Sequence, residues 1–210
     1  PAPLPPKTNC KIETPFHVKI PENFSRGGHN GQAYQITQWY PKPAVYDKKG
    51  WHPIPYLDQG EFYSEFGNYE VQITLPKNYV VAATGELQSD DEIKLLNEKY
   101  YNKLSFRPDG WEYKSKVSKK EYLEYPPSSK ENKTLLFKQD NVHDFAWFAD
   151  KRFNIRQDTL QLNSGRIINL YAYFLPAKND VWKTSIMMIK QAILTKSKWI
   201  GEYPYNVISV

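Results

Sequence analysis

A period of two governs the clearest apolar runs in this chain, and that period belongs to β-strands. In the segment Arg166 to Leu175, Ile168, Leu170, Ala172 and Phe174 fall on one face, while Ile167, Asn169, Tyr171 and Tyr173 fall on the other. Tyr69 to Leu75 alternates in the same way. After Pro76-Lys77-Asn78 a second run follows over Tyr79 to Thr84, which predicts a hairpin. Phe16-His17-Val18-Lys19-Ile20 predicts a strand with one face inward, the cluster Ser25 to Gly31 a turn, and Gln32 to Trp39 the next strand. Further strands are expected at Thr134 to Gln139 and at Val142 to Ala149, with Arg166 to Leu175 as the last.

Composition agrees with a mainly β fold. The 16 Tyr, 10 Phe and 6 Trp suit a pleated surface, and the 16 Pro imply many loops and edges. With 210 residues and 40% hydrophobic residues the chain can bury a sizeable core, which excludes disorder throughout. The single Cys10 rules out an intrachain disulfide but does not fix the compartment. No apolar run approaches the roughly 18 residues of a membrane span. The chain begins at Pro1 without Met, which fits a removed leader or a start within a longer protein; a cell-envelope or secreted setting is expected over a cytoplasmic one.

Four positions break the β pattern. Residues 1 to 15 are Pro-rich and form an extended lead-in. Tyr40 to Gly67 carries Pro41, Pro43, Pro53 and Pro55, too many for a paired central strand, and predicts an ordered aromatic loop. Ser89-Asp90-Asp91-Glu92 has capping-box spacing, with Ile93, Leu96, Tyr100 and Leu104 at helical intervals behind it, so a short surface helix is expected inside a charged insertion near residues 88–132. Past Pro176 the period changes to 3.6: Trp182, Ile186, Ile189, Ile193 and Ile200 predict a helix from near Asp180 to Ile200, stopped by Gly201. That change predicts a domain boundary near residues 176–179, between a β domain over 1–176 and the start of a second domain over 177–210.

The net charge of +5 arises from interspersed signs. The densest basic stretch, Lys114 to Lys120 with Tyr113 and Tyr122, is short and flanked by Glu112 and Glu121, so a nucleic-acid partner is not expected. His17, His29, His52 and His143 include no pair four apart, so no zinc-binding helix is present; His29 is expected as a turn residue and His52 as a packing or hydrogen-bonding partner. Asp47, Asp58, Glu61 and Glu65 could supply paired carboxylates for glycoside hydrolysis, but spacing in sequence does not give their separation in space. Trp39, Trp51 and Tyr56 could form a sugar-stacking platform or belong to the core. Asn23-Phe24-Ser25 and Asn132-Lys133-Thr134 fit the glycosylation triplet.

One resemblance covers most of residues 16–206. The run Gly31 to Asp47 (GQAYQITQWYPKPAVYD), then Gly50-Trp51-His52-Pro53, Gly60 to Gly67, Ala82 to Leu87 and Val142 to Trp147 together resemble the domain preceding the catalytic domain in the aminopeptidase N and leukotriene hydrolase family. Tyr203-Pro204-Tyr205 resembles the turn after the first helix of that family's thermolysin-like domain. The resemblance implies part of a β-saddle, sandwich-like domain followed by a helix opening an α-rich domain. The family's zinc motif would lie beyond Val210, so no cofactor is expected on this chain and zinc is expected in the full-length protein. It further implies removal of N-terminal residues from peptides, with this chain forming one wall of the substrate cleft and packing on the rest of its own polypeptide. The family's T-Q-x-E loop corresponds to Thr37, Gln38, Trp39 and Tyr40, which makes Gln38 and Tyr40 the candidate substrate-binding residues; Tyr40 stands where the family pattern has Glu. Other readings are a non-catalytic scaffold and a carbohydrate- or protein-binding β module.

Overall fold

The structure is a computed structural model that describes residues 5–23, 25–55, 57, 59–60, 62–103, 124–176 and 179–210. It is mainly β. The strands are β1 (Gly28–Asn30), β2 (Ala33–Ile36), β3 (Val45–Asp47), β4 (Gly50–His52), β5 (Gly67–Pro76), β6 (Val80–Ala83), β7 (Glu86–Leu87), β8 (Asn132–Val142), β9 (Trp147–Asp150), β10 (Asn154–Gln161), β11 (Ile167–Phe174) and β12 (Val207–Ser209). The helices are α1 (Asp90–Lys103), the single turn α2 (Asn179–Trp182) and α3 (Ser185–Ile200). The basic stretch from Lys114 to Lys120 with its neighbours, together with Leu104, Tyr56, Asp58 and Glu61, lies outside the described residues.

Two sheets face each other across one core. The first has the order β1-β2-β9-β6 and the second β5-β8-β7, each antiparallel. Val81, Ala83 and Ala149 of the first meet Ile73, Leu135 and Phe137 of the second, with Phe145 fully enclosed between them. The expected hairpin of residues 69–84 does not form. β5 pairs with β8 over Tyr69↔Gln139 to Pro76↔Asn132, and β6 pairs with β9, so the turn after Pro76 carries the chain from one sheet to the other. The reason lies in the side chains: β5 alternates and is half-buried, whereas all four residues of β6 are buried and need the interlayer space.

The third sheet, β10-β11-β12, is covered on both faces. Ile168 and Leu170, both wholly buried, turn toward Ile186, Ile189 and Ile193 of α3, as their alternation predicts. On the opposite face Tyr171 and Tyr173 pack with Leu96 of α1, Val80 and Ile155. β11 is not the last strand. The three-residue β12 returns after α3 and pairs with it in parallel, Asn169↔Val207 to Tyr171↔Ser209, so the chain on either side of residues 176–179 shares one sheet. The predicted helix is interrupted near Lys183: Trp182 stacks on Phe174 at 6.0 Å, while Ile200 stands 84% exposed.

Two local expectations change. Ser89 and Glu92 do not serve each other in a capping box. The Ser89 hydroxyl receives the Leu136 amide (3.2 Å), and Glu92, buried, pairs with Lys133 at 2.6 Å, because β8 runs alongside and offers both a donor and a cation. Phe16 to Ile20 forms no strand; it runs extended and largely exposed beside β2, with the Phe16 ring 6.1 Å from that of Trp39.

Candidate functional site

The glycine at the β1–β2 turn sets up the site. Gly31 takes φ 58°, a conformation open to a residue without Cβ, and an added Cβ would lie 2.8 Å from the Tyr125 ring. β2 therefore starts in fixed register with β9 and ends at Ile36, short of the predicted Trp39, leaving Thr37 to Lys42 as a short bridge across the end of the sandwich.

Gln38 and Tyr40 come together there, with a partner from far along the chain. Asp144, in the connection between β8 and β9, accepts the Gln38 side-chain amide at 2.5 Å, the Phe145 backbone N–H at 2.8 Å and the Lys42 ammonium at 2.9 Å. The Tyr40 hydroxyl lies 3.1 Å from Asp144 and 2.8 Å from the Tyr69 hydroxyl. A phenol has one proton and a carboxylate only accepts, so Tyr40 donates to Asp144 and Tyr69 supplies the proton between the two phenols. Trp39 locks the bridge by donating its indole N–H to the Phe145 carbonyl at 3.0 Å.

Gln38 holds φ 52°, a left-handed conformation costing on the order of 1 kcal/mol for a residue with Cβ, and the bond to Asp144 is one contact that fixes it. Burial pushes the Tyr40 phenol far above its ordinary range, and the neighbouring Asp144 charge acts in the same direction, so it stays neutral. The side chains of Lys42 and Asp144 are only 17% and 20% exposed, at the rim between core and water. Gln38 also borders a groove of about 280 Å³ shared with Val18, Ile20, Thr37 and Trp39. A larger cavity of about 680 Å³ lies elsewhere, between β9 and β12, among Tyr34, Phe148, Tyr173, Tyr203 and Val207.

The remaining candidates are dispersed. His52 donates its Nε2–H to Asp47 at 2.9 Å, and the Asp47 carboxyl is held below its usual range by that bond and by the Lys49 amide; the pair closes the β3–β4 hairpin. His29 lies in β1, its ring 3.2 Å from the Gly31 carbonyl. Glu65 is exposed, and so are the two glycosylation-triplet residues Asn23 and Asn132. Trp39 is packed, but Trp51 and its neighbour Tyr46 are 68% and 65% exposed, contrary to a packed aromatic loop, because among the described residues their hairpin is a sheet of two strands. Their rings are tilted by 58°, so the two make no flat platform. Among the described residues no group of three or more His, Cys, Asp or Glu side chains is gathered to hold a metal, and no residue here is assigned to zinc. Among the described residues no helix is long and apolar enough to cross a membrane.

Sequence reasoning singled out Gln38 and Tyr40 but missed Asp144 and Lys42. Lys42 carried a usable signal, a lone cation between Pro41 and Pro43 in an aromatic run. Asp144 carried little, since 106 residues separate it from Gln38. No protein-family model matches the sequence, and no curated protein matches it.

Proposed function

We propose that this chain is the substrate-facing β part of a zinc-dependent aminopeptidase, with zinc held by residues outside positions 1–210 and with the bridge Thr37 to Lys42 at the mouth of the substrate cleft. The observation that supports this reading is the convergence of Gln38 and Tyr40, the two residues selected by the resemblance, on one rim carboxylate at the end of β2. β2 ends at Ile36, and Pro41 has no N–H with which the chain could resume a ladder, so the bridge between them is left outside sheet pairing. In this reading the partners are a peptide substrate and the rest of the same polypeptide. The chain's role is to orient the free N-terminus, and no step of bond cleavage is assigned to its own residues.

The test is made in the longer polypeptide that carries this chain and the zinc-binding part. Gln38→Ala should lower kcat/KM for peptides with a free N-terminus by about 10-fold or more, the equivalent of one hydrogen bond to a charged group at about 1.5–3 kcal/mol, with zinc content unchanged. Gln38→Gly relieves the backbone strain but lacks the amide, so it should show the same kinetic loss. Tyr40→Phe should weaken activity less. Unchanged kcat/KM in both Gln38 variants removes this segment from the substrate mouth, and a longer polypeptide without zinc-dependent release of N-terminal residues leaves the domain as a scaffold.

A further inference from the structure

We infer that Asp144 is the group that receives the free ammonium of the substrate, and that the Lys42 ammonium holds its place until the substrate displaces it. This inference rests on the aminopeptidase reading above and adds a residue to it.

The charge at this site has to come from somewhere other than position 40. Tyr40 is a neutral phenol and Gln38 a neutral amide, so neither can form an ion pair with an ammonium. The carboxylate both of them touch is Asp144, delivered by a different segment. Three neutral donors fix it: the Gln38 amide, the Tyr40 hydroxyl and the Phe145 backbone N–H. These donors come from the bridge and from the β8–β9 connection, and they hold the carboxylate in place whatever cation faces it.

The cation position is already shaped for a primary ammonium. Lys42 Nζ sits 2.9 Å from Asp144 Oδ1, 5.4 Å from the centre of the Tyr40 ring and 5.7 Å from that of Phe62. A carboxylate with two aromatic rings is the environment that selects a compact ammonium, because the ring quadrupoles and the anion act in the same sense. Lys42 carries that ammonium on a flexible four-carbon stem. Exchange of Lys42 for a substrate ammonium replaces one cation by another. The anion is never left unpaired, so the exchange avoids the penalty of an isolated charge at a half-buried rim. The ligand class is therefore a chain bearing a primary ammonium, such as the free N-terminus of a peptide.

The experiment uses the longer, zinc-loaded polypeptide and three variants, with an aminoacyl reporter as substrate and one peptide, free or N-acetylated, as competing inhibitor. Asp144→Asn should raise KM for the reporter 10-fold or more, with the loss in KM exceeding that in kcat, and should erase the preference for the free over the acetylated inhibitor. Asp144→Glu should restore part of that preference. Lys42→Met keeps an unbranched side chain of similar length and removes the competing ammonium, so it should lower KM several-fold. Melting temperature and zinc content are followed in parallel. The inference is overturned if Asp144→Asn weakens free and acetylated inhibitors equally, or if Lys42→Met raises KM. If the parent polypeptide releases no N-terminal residues in a zinc-dependent way, the aminopeptidase reading fails and this inference falls with it. An active parent whose Asp144→Asn variant keeps its preference defeats the inference alone.

Discussion

Phe145 sits where the two facing sheets meet, fully enclosed, with its ring 6.1 Å from that of Tyr69 and 6.5 Å from that of Phe137. Its backbone also serves the rim site, donating to Asp144 and accepting from Trp39. Phe145→Ala should lower stability by about 3–5 kcal/mol in urea titration, as expected for removing a wholly buried ring, and Phe145→Leu by clearly less. Glu92 and Lys133 make a second residue-level test. Their side chains are 5% and 12% exposed, so Glu92→Ala leaves a poorly hydrated cation and should cost about 3–5 kcal/mol. The double variant Glu92→Leu with Lys133→Met should recover most of that loss; a double-variant loss equal to the sum of the two single-variant losses would show that the pair is not coupled. Neither role was legible in sequence. The spacing of Ser89 and Glu92 matches a capping box, and only the presence of β8 beside the helix diverts both side chains to Leu136 and Lys133.

At the scale of elements, alternation was the most informative signal and short pairing the least. β11 could be read face by face because eight residues keep one period against a covered sheet. β12, with three residues, has no period to read. What secures it is Arg166, which donates to the carbonyls of Tyr203, Pro204 and Tyr205 and to the Asn206 side chain. A lysine cannot reproduce that planar fork, so Arg166→Lys should free the 203–206 turn and raise amide exchange in β12, at a cost of about 1–3 kcal/mol. β10 is tied to α3 by Asp158 and Lys190 at 2.7 Å. The Lys190 bond holds the Asp158 carboxyl below its ordinary 3.8, against an opposing effect of burial. A depressed carboxyl stabilises the fold above its unfolded pKa and loses that effect as pH falls through the folded value. Asp158→Asn should therefore cost about 0.2–1 kcal/mol at neutral pH, the scale of a partly exposed pair, and the difference should shrink as pH falls below 3.8 and vanish once it is below the folded value.

For the whole molecule, the mainly β class was legible from period and composition, whereas which strands pair was not. In the sandwich β5 pairs with β8, and β2 and β6 both pair with β9, each across a long stretch of sequence, and the candidate site has the same character: Gln38, Tyr40 and Lys42 are local, but the carboxylate that gathers them arrives from Asp144. Such long-range pairing predicts slow folding. Refolding after dilution from urea should fall in the millisecond-to-second range of other β sandwiches, and a microsecond phase carrying the full amplitude would contradict the topology. The passage of the chain from β5 in one sheet to β6 in the other has a further consequence during synthesis. β5 leaves the ribosome with no partner until residues 132–142 have been made, a wait on the order of ten seconds at 5–20 residues per second. Through that interval the nascent chain presents Val71, Ile73 and Leu75 on an open strand, the kind of segment that holdase chaperones grip, so the yield of this protein in a cell should respond to translation speed and chaperone supply.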